Sequence, residues 1–212
     1  MPYRIATDDD IDRVVECLTL AFRDDPVWGV ALARPDGSTS HHEAFWRSYV
    51  EGALRYSSVF TTEDVSAVSV WIPPGGTELS DQQEADVVRL VEASLEPASA
   101  QAMFELWERF AANHPQAEPH AYLSLLATHP DHRGGGVGQQ LLAERLADLD
   151  ADGVPAFLES TNPANDHRYE RAGFRRIGSF TSVLDDAPIS TMWRPSRGLD
   201  AAQGRGQRED LG

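Results

Sequence analysis

Hydrophobic and polar residues follow two different periods along the chain, and these periods predict an ordered series of helices and strands. Apolar residues three and four apart predict helices that bury one face, whereas short apolar runs and two-residue alternation predict strands. The predicted strands are residues 3–6, 59–62, 67–72, 121–128, 156–160, 175–184 and 189–194. The predicted helices lie between Thr7 and Pro26, at 42–55, in two segments within 80–113, at 136–150 and at 165–172, and residues 27–40 are expected to form a loop.

The order of these elements predicts one domain with an inserted pair of helices. Residues 76–118 are longer than a simple connection between strands, so we interpret them as a helical insertion that is broken near Pro97. The strand, loop, helix and strand between residues 121 and 160 predict a mixed α/β sheet flanked by helices. We expect a single domain over residues 1–194 and a disordered tail over 195–212, where Gly, Gln and charged residues dominate.

The turn between the strand at 121–128 and the helix at 136–150 is rich in glycine. Arg133 and the glycines after it stand where the helix begins. The first N–H groups of a helix lack internal partners and lie at the positive end of its dipole. Glycines leave room for a ligand to reach those amides. The sequence therefore predicts a backbone site for phosphate, and the alternative is a glycine-rich turn that caps the helix and binds no ligand.

Two common phosphate-binding motifs do not fit this turn. A P-loop requires Lys and then Ser or Thr after its glycines, and the chain contains no lysine. In a dinucleotide motif read from Gly136, the third glycine would fall at Leu141. The pattern that fits is Arg-x-x-Gly-x-Gly, with Arg133, Gly136 and Gly138. This pattern resembles the acetyl-coenzyme A loop of the GNAT superfamily of N-acetyltransferases.

The segments around the loop resemble the same superfamily. Residues 68–74, 120–130 and 155–160 are similar to its third, fourth and fifth strands, and residues 165–174 are similar to its Asn-x-x-x-Tyr-x-x-x-Gly-Phe segment. The resemblance covers most of residues 3–194 and looks closest to the branch that includes puromycin N-acetyltransferases. It implies the GNAT fold, a mixed and mostly antiparallel twisted sheet of six to seven strands. The fourth and fifth strands would diverge at one end and hold the pantetheine arm of coenzyme A between them.

The resemblance also implies which residues bind acetyl-CoA as the co-substrate. Backbone groups of Leu126, Ala127 and Thr128 would face the acetyl and pantetheine groups, although the family usually has valine in place of Thr128. Asn165 would hydrogen-bond the pantetheine arm. The pyrophosphate would lie on the glycine loop, which comprises Arg133, Gly134, Gly135, Gly136, Val137, Gly138 and Gln139.

Three residues are candidates for the proton transfers of an amine attacking a thioester. The resemblance places Tyr169 beside the cofactor sulfur, where its hydroxyl would protonate the departing thiolate; the alternative is an ordinary core tyrosine. Glu159 would have a raised pKa if buried, which suits a base, or it is a structural carboxylate. His120 would act as a base through a water molecule, or it is simply hydrogen-bonded. A substrate amine of low pKa would need no dedicated base.

The acceptor side of the site is less defined by the sequence. Trp71 and the pair Phe45-Trp46 either line an acceptor pocket or pack in the core, as aromatic residues commonly do. Arg168 stands where puromycin-type relatives carry an aromatic residue, a departure that concerns the acceptor.

Composition narrows the partners and the reaction. The net charge of −16 argues against nucleic acid and suits a cationic substrate, although an acidic surface can also serve solubility alone. The absence of lysine excludes a Schiff-base mechanism. Cys17 is the only cysteine, so it cannot form an internal disulfide, and we expect it in the core and the chain in the reducing cytoplasm. No apolar stretch is long enough to span a membrane, and Met1 to Thr7 lacks the apolar core of a signal peptide.

The predicted function is transfer of acetyl from acetyl-CoA to a primary amine of a small molecule, by analogy in detoxification of an antibiotic or aminonucleoside. Direct transfer is expected because no nucleophilic residue stands out. We expect no metal, no nucleic acid and no membrane partner, and a homodimer is compatible with the superfamily. Two alternatives are acetylation of a protein or peptide and a non-catalytic sensor or interaction module that binds coenzyme A.

Overall fold

The computed structural model describes residues 3–197, which form a seven-stranded sheet covered by helices on both faces. The strands are β1 (Arg4–Ile5), β2 (Val59–Thr61), β3 (Ala67–Ile72), β4 (Ala121–Thr128), β5 (Ala156–Ser160), β6 (Arg175–Thr181) and β7 (Pro188–Arg194). Their order is β1-β2-β3-β4-β5-β7-β6, and every neighbouring pair is antiparallel except β4 with β5. The α/β architecture with a mixed, mostly antiparallel sheet is therefore confirmed.

Seven α-helices connect these strands within the described residues. They are α1 (Ile11–Phe22), α2 (Trp28–Ala31), α3 (Ser40–Leu54), α4 (Asp81–Ser94), α5 (Pro97–Asn113), α6 (Val137–Ala151) and α7 (Asp166–Arg171), with short 3-10 turns at Asp8–Asp10, Pro130–His132 and Pro163–Asn165. The expectation of a loop throughout residues 27–40 was wrong, because α2 lies within it. The Asp25 carboxylate accepts hydrogen bonds of 3.0 Å from the N–H groups of Val27 and Trp28, which starts this single helical turn.

The predicted insertion consists of two consecutive helices, α4 and α5. Ser80 begins α4 by a reciprocal capping box, in which the Gln83 side chain accepts from the Ser80 N–H at 3.0 Å. Pro97 lies in the first turn of α5, where its missing N–H would have no partner in any case. The proline therefore begins the second helix and separates it from the first.

The sheet separates two hydrophobic cores. One core contains buried residues of α1, α3, α4 and α5, including Cys17, which is 1% exposed and lies in the interior as expected. The other core packs α6 against the opposite face of the sheet through Leu141, Leu142 and Leu146. Both helical layers are thus fixed by apolar burial on their own side of the sheet.

The parallel strands β4 and β5 separate soon after they begin. They pair only at Ala121 with Ala156 and at Tyr122 with Phe157, after which β4 continues to Thr128 and β5 to Ser160. A single bulge in the pairing of β3 and β4 falls at Ser124, because Val70 lies opposite Leu125 and Trp71 opposite Leu123. The extra residue changes which face of the sheet the following side chains occupy: Leu123 belongs to the core of α6, and Leu125 belongs to the other core.

The last described residues, 195–197, pack against the rest of the domain. Ser196 is buried, and the Arg197 N–H donates to the Asp150 carboxylate at 2.8 Å. Beyond these residues, the predicted tail lies outside the part that the structure describes. Within residues 3–197, every helix is too short or too polar to cross a bilayer.

Candidate active site

A cavity of about 840 Å³ opens where β4 and β5 separate. Its walls come from the ends of these two strands, the turn after α1, helices α3 to α5, the turn before α4 and the start of α7. The gap between the strands therefore opens into one cavity, which is also lined by the helical insertion and by α7.

The glycine loop lies at the outer end of β4 and has the geometry of an open backbone cradle. Gly134 and Gly136 have φ angles of +88° and +77°, a region that favours glycine, and the space where a Cβ would lie is empty at both. Among the residues described, no side chain caps α6. A Cβ at Gly138 would overlap the Thr128 hydroxyl, so this glycine lets α6 approach β4 closely. Free amides at a helix start, with no side chain over them, fit a diphosphate group.

The other residues assigned to the cofactor contribute in different ways. Leu126 and Asn165 line the cavity, whereas Ala127 packs in the core and Thr128 ends the strand, so these two offer only backbone groups to a ligand. The side chain of Arg133 turns away from the loop and donates to the Ala21 carbonyl at 3.1 Å. The backbone contacts with the cofactor stay a prediction, and the Arg133 side chain is engaged with the end of α1.

Tyr169 lines the cavity from α7, on the same side as Asn165. Burial raises the pKa of the Tyr169 hydroxyl, and the nearby negative charges of Asp25 and Asp166 raise it further. The phenol is consequently neutral near pH 7 and keeps the proton that an acid must donate. Arg168 is exposed and donates to the Asn165 side chain at 3.0 Å, so it holds the start of α7.

Glu159 lies in the cavity wall with its side chain only 2% exposed. Neither carboxylate oxygen has a hydrogen-bond partner among residues 3–197. The nearest basic atom is His114 Nδ1, which lies 3.6 Å from Oε1, beyond hydrogen-bond distance. Burial raises the pKa of Glu159, and this effect is opposed by His114 and Tyr122. A buried carboxylate with free lone pairs is suited to accept a proton or bind a cation.

His120 takes part in a short chain of imidazoles. It is 8% exposed, its Nδ1 lies 2.7 Å from the Glu118 carbonyl oxygen, and its Nε2 lies 3.1 Å from His114 Nε2. Burial lowers the pKa of His120, which favours a neutral ring. His114 thus lies between His120 and Glu159. No motif surrounds His114, which follows the last turn of α5, so it could not be selected from the sequence.

A second carboxylate, Glu78, is half-buried in the wall of the same cavity and was missed from the sequence. Its Oε1 accepts a hydrogen bond from the Ser124 hydroxyl, at the bulge of β4. Burial raises the pKa of Glu78 to about 7, opposed by the Ser124 hydrogen bond and reinforced by the charge of Glu159. In sequence Glu78 is one acidic residue after a Pro-Pro-Gly-Gly turn, and only the folded chain brings it to the site.

Aromatic side chains also line the cavity. Trp28 stacks on Phe110 with ring centres 5.7 Å apart and meets Trp46 edge-on at 5.5 Å, and all three line the cavity. Of the aromatic residues proposed from the sequence, Trp46 lines the cavity, whereas Phe45 and Trp71 are core residues, each 1% exposed. The cavity therefore combines an aromatic surface with the carboxylates of Glu78 and Glu159.

Comparison with known proteins agrees with this geometry. The model of the acetyltransferase (GNAT) family matches residues 71–174. A structure from Corynebacterium glutamicum, described as histone acetyltransferase HPA2 and related acetyltransferase, is 25% identical with a TM-score of 0.62, and the match covers 92% of this chain and 95% of that one.

Two more distant structures share the fold. Arylalkylamine N-acetyltransferase 2 of Aedes aegypti is 12% identical with a TM-score of 0.66, over 92% of this chain and 99% of that one. The polyamine N-acetyltransferase of Drosophila melanogaster is 13% identical with a TM-score of 0.56, over the same shares of the two chains.

The fold, the diverging strands and the glycine cradle define an enzyme that transfers acyl groups from coenzyme A. Residues 71–174 match the acetyltransferase (GNAT) family, and the chain is an acyl-CoA-dependent N-acetyltransferase with the GNAT fold.

Proposed function

We propose that this enzyme acetylates a primary amine of a small molecule, with Tyr169 as the acid and Glu159 as the base. The observation that carries the proposal is the cavity at the gap between β4 and β5, which contains both side chains and a free, buried carboxylate. The resemblance of the sequence to the puromycin-type branch makes puromycin a rational acceptor to test first.

We assign the two proton transfers and the cofactor contacts to different residues. Acetyl-CoA supplies an activated acetyl group as a thioester. Glu159 accepts a proton from the amine as its nitrogen bonds to the acetyl carbon, and Tyr169 gives its hydroxyl proton to the sulfur as the carbon–sulfur bond breaks. Amides of the glycine loop hold the diphosphate, and Asn165 contacts the pantetheine arm.

His114 and His120 would return Glu159 to its ionised form after each turnover. His114 lies 3.6 Å from Glu159 and is hydrogen-bonded to His120 at 3.1 Å. The His114 side chain is 28% exposed, so it connects the buried carboxylate with solvent. In this arrangement His120 acts through His114 and does not touch the acceptor.

The position of helices α4 and α5 favours a small-molecule acceptor over a peptide acceptor. Asp81 and Val87 of α4 and Trp107 and Phe110 of α5 form one side of the cavity. A peptide substrate requires an open groove, whereas these two helices form one wall of the space into which the amine must enter.

A thiol-release assay tests the proposed function. The purified chain is mixed with acetyl-CoA and a panel of puromycin, alkylamines, arylalkylamines, diamines and peptides, and acetylated products are identified by mass spectrometry. We expect turnover with small amines and a fall of about 10²- to 10⁴-fold in kcat for Glu159→Gln, with unchanged coenzyme A affinity. The control Glu108→Gln replaces an exposed residue of α5 outside the cavity and leaves kcat unchanged.

Three results contradict the proposal in distinct ways. Calorimetric binding of coenzyme A without thiol release for any amine supports a sensor. Efficient turnover of peptides alone supports a protein acetyltransferase. Wild-type kcat in Glu159→Gln removes Glu159 from the role of base.

A further inference from the structure

Two carboxylates, Glu78 and Glu159, line the cavity, and one substrate ammonium group can pair with only one of them. Glu159 has no hydrogen-bond partner among the described residues, and Glu78 has one neutral partner, the Ser124 hydroxyl. An ionised carboxylate taken out of water is unfavourable unless a cation or strong donors accompany it. A single ammonium group at Glu159 would leave Glu78 either protonated or ionised without a counter-ion.

The rest of the cavity provides no fixed positive charge. Within the described residues its lining contains six acidic side chains and no arginine, and the chain has no lysine. His114 and His120 are its basic groups, and His120 is held neutral by burial. Three of the acids, Asp81, Glu84 and Glu118, are exposed at the rim, so the electric field draws cations from solvent toward the interior.

The position of Glu78 is fixed by helix α3. Gly52 of α3 packs so closely on the Glu78 carbonyl that a Cβ at this glycine would overlap it. Arg55 of the same helix donates to the Thr77 carbonyl at 2.9 Å. On its other side, Glu78 is tied to the bulge of β4 through Ser124. Contacts on two sides make Glu78 part of a built site and not a chance member of an acidic surface.

We infer that the acceptor is a dication, whose reacting amine lies at Glu159 and whose second ammonium, amidinium or guanidinium group pairs with Glu78. The apolar chain that joins the two groups would lie along Trp28, Trp46 and Phe110, whose faces also attract cations. This inference rests on the proposed function, because it names the substrate class of the same site.

Matched amines provide the test. Diamines with three to six carbons are compared with n-alkylamines of the same length, using thiol release with the intact protein. We expect the best diamine to exceed its monoamine in kcat/KM by about 10- to 100-fold, the usual gain from a hydrogen bond between charged groups. In Glu78→Gln this ratio falls toward one, and in Ser124→Ala it falls less. Glu108→Gln serves as the control and keeps the wild-type ratio.

Each outcome has a clear meaning. If the wild-type protein shows a ratio of diamine to monoamine kcat/KM near one, the inference is overturned, even if every variant misfolds. The proposed function still holds in that case, provided that monoamines are acetylated. A high ratio that Glu78→Gln does not lower, in a variant that still binds coenzyme A, also overturns it. Turnover of no amine at all contradicts the proposed function itself.

Discussion

Burial raises the pKa of two ionisable residues of the site, and this suits each to the opposite role that we propose for it. It raises the pKa of Tyr169, which keeps the phenol protonated as a donor. It also raises the pKa of Glu159, which makes the carboxylate a stronger proton acceptor once it is ionised. An acid and a base can therefore coexist in one cavity because their ordinary pKa values are far apart before the protein perturbs them.

Removal of the Tyr169 hydroxyl should slow the reaction without loosening the cofactor. Tyr169→Phe keeps the ring, which packs edge-on against Phe174 at 6.1 Å. We expect kcat to fall about 10²- to 10³-fold, since a positioned acid contributes on this scale, with coenzyme A affinity within about threefold. Tyr3→Phe, which changes a tyrosine outside the cavity, should keep the wild-type kcat. An unchanged kcat in Tyr169→Phe would exclude this residue as the acid.

Glu78 should make the folded protein less stable as the pH rises. Its pKa is about 7 in the folded chain and near 4.5 ordinarily, so between these values the folded state binds more protons and the free energy of unfolding decreases with pH. Glu78→Gln should remove this loss. Measured by urea unfolding, the free energy of unfolding of the variant minus that of wild type should be about 1–3 kcal/mol more favourable at pH 8 than at pH 5. The groups that face Glu78 are Tyr49, His114, Tyr122, Ser124 and Glu159. Equal pH dependence in both proteins would contradict the raised pKa.

At the scale of helices and strands, the sequence was informative wherever one element carries its own pattern. The helices at 42–55 and 136–150 were predicted within two residues of their observed bounds, because their periodic apolar residues face a core. The glycine loop lies at the start of α6 and Tyr169 lies beside the cavity, while the binding of the cofactor by the loop stays a prediction. Whether Tyr169 acts as the acid stays a prediction.

The remaining features depend on contacts between distant segments. Residues 121, 123, 125 and 127 alternate as if they shared one face, yet the bulge at Ser124 divides them between two cores. The pair of Glu78 and Ser124 joins segments 46 residues apart. Helix α2 forms because Asp25 caps it and Trp28 stacks on Phe110. None of these contacts leaves a periodic signal in the sequence.

The close approach of α3 to the turn that carries Glu78 gives a test at this scale. Gly52→Ala should ordinarily favour a helix, but here the new methyl group would overlap the Glu78 carbonyl. We expect a loss of about 1–3 kcal/mol in urea unfolding and a lower ratio of diamine to monoamine turnover. Ser48→Ala on the same helix provides the control. A more stable Gly52→Ala with the wild-type ratio would show that the turn is free to move.

The C-terminal strand is tied to α6 by a buried ion pair. Arg194, whose side chain is 4% exposed, binds the Asp150 carboxylate through two hydrogen bonds of 2.8 and 2.6 Å. Arg194 lowers the pKa of Asp150, so this stability is present at neutral pH and is lost as the pH falls through the depressed pKa. Asp150→Asn should lose about 3 kcal/mol at pH 7, because it leaves a buried guanidinium without its counter-ion. Asp152→Asn, an exposed neighbour, should change unfolding by less than about 0.5 kcal/mol.

For the whole molecule, the distribution of charge should influence how fast substrates arrive. The chain has a net charge of −16, and its cavity rim is acidic. Steering of a cation by such a field weakens as salt shortens the screening length from about 30 Å at 0.01 M to about 8 Å at 0.15 M. We expect kcat/KM for a diamine to fall several-fold over this range, and an acceptor that is uncharged at the assay pH to change less than about twofold. Equal salt dependence for the two acceptors would argue against steering.

The division of the interior by the sheet has a consequence for how this enzyme could change its chemistry. The helices that shape the amine-binding wall are anchored in one apolar layer, and the helix that begins at the glycine loop is anchored in the other. Alterations to the first layer need not propagate through the second. Exchange of helices α4 and α5, in evolution or by engineering, could therefore change the acceptor while the glycine loop continues to bind the same acyl donor.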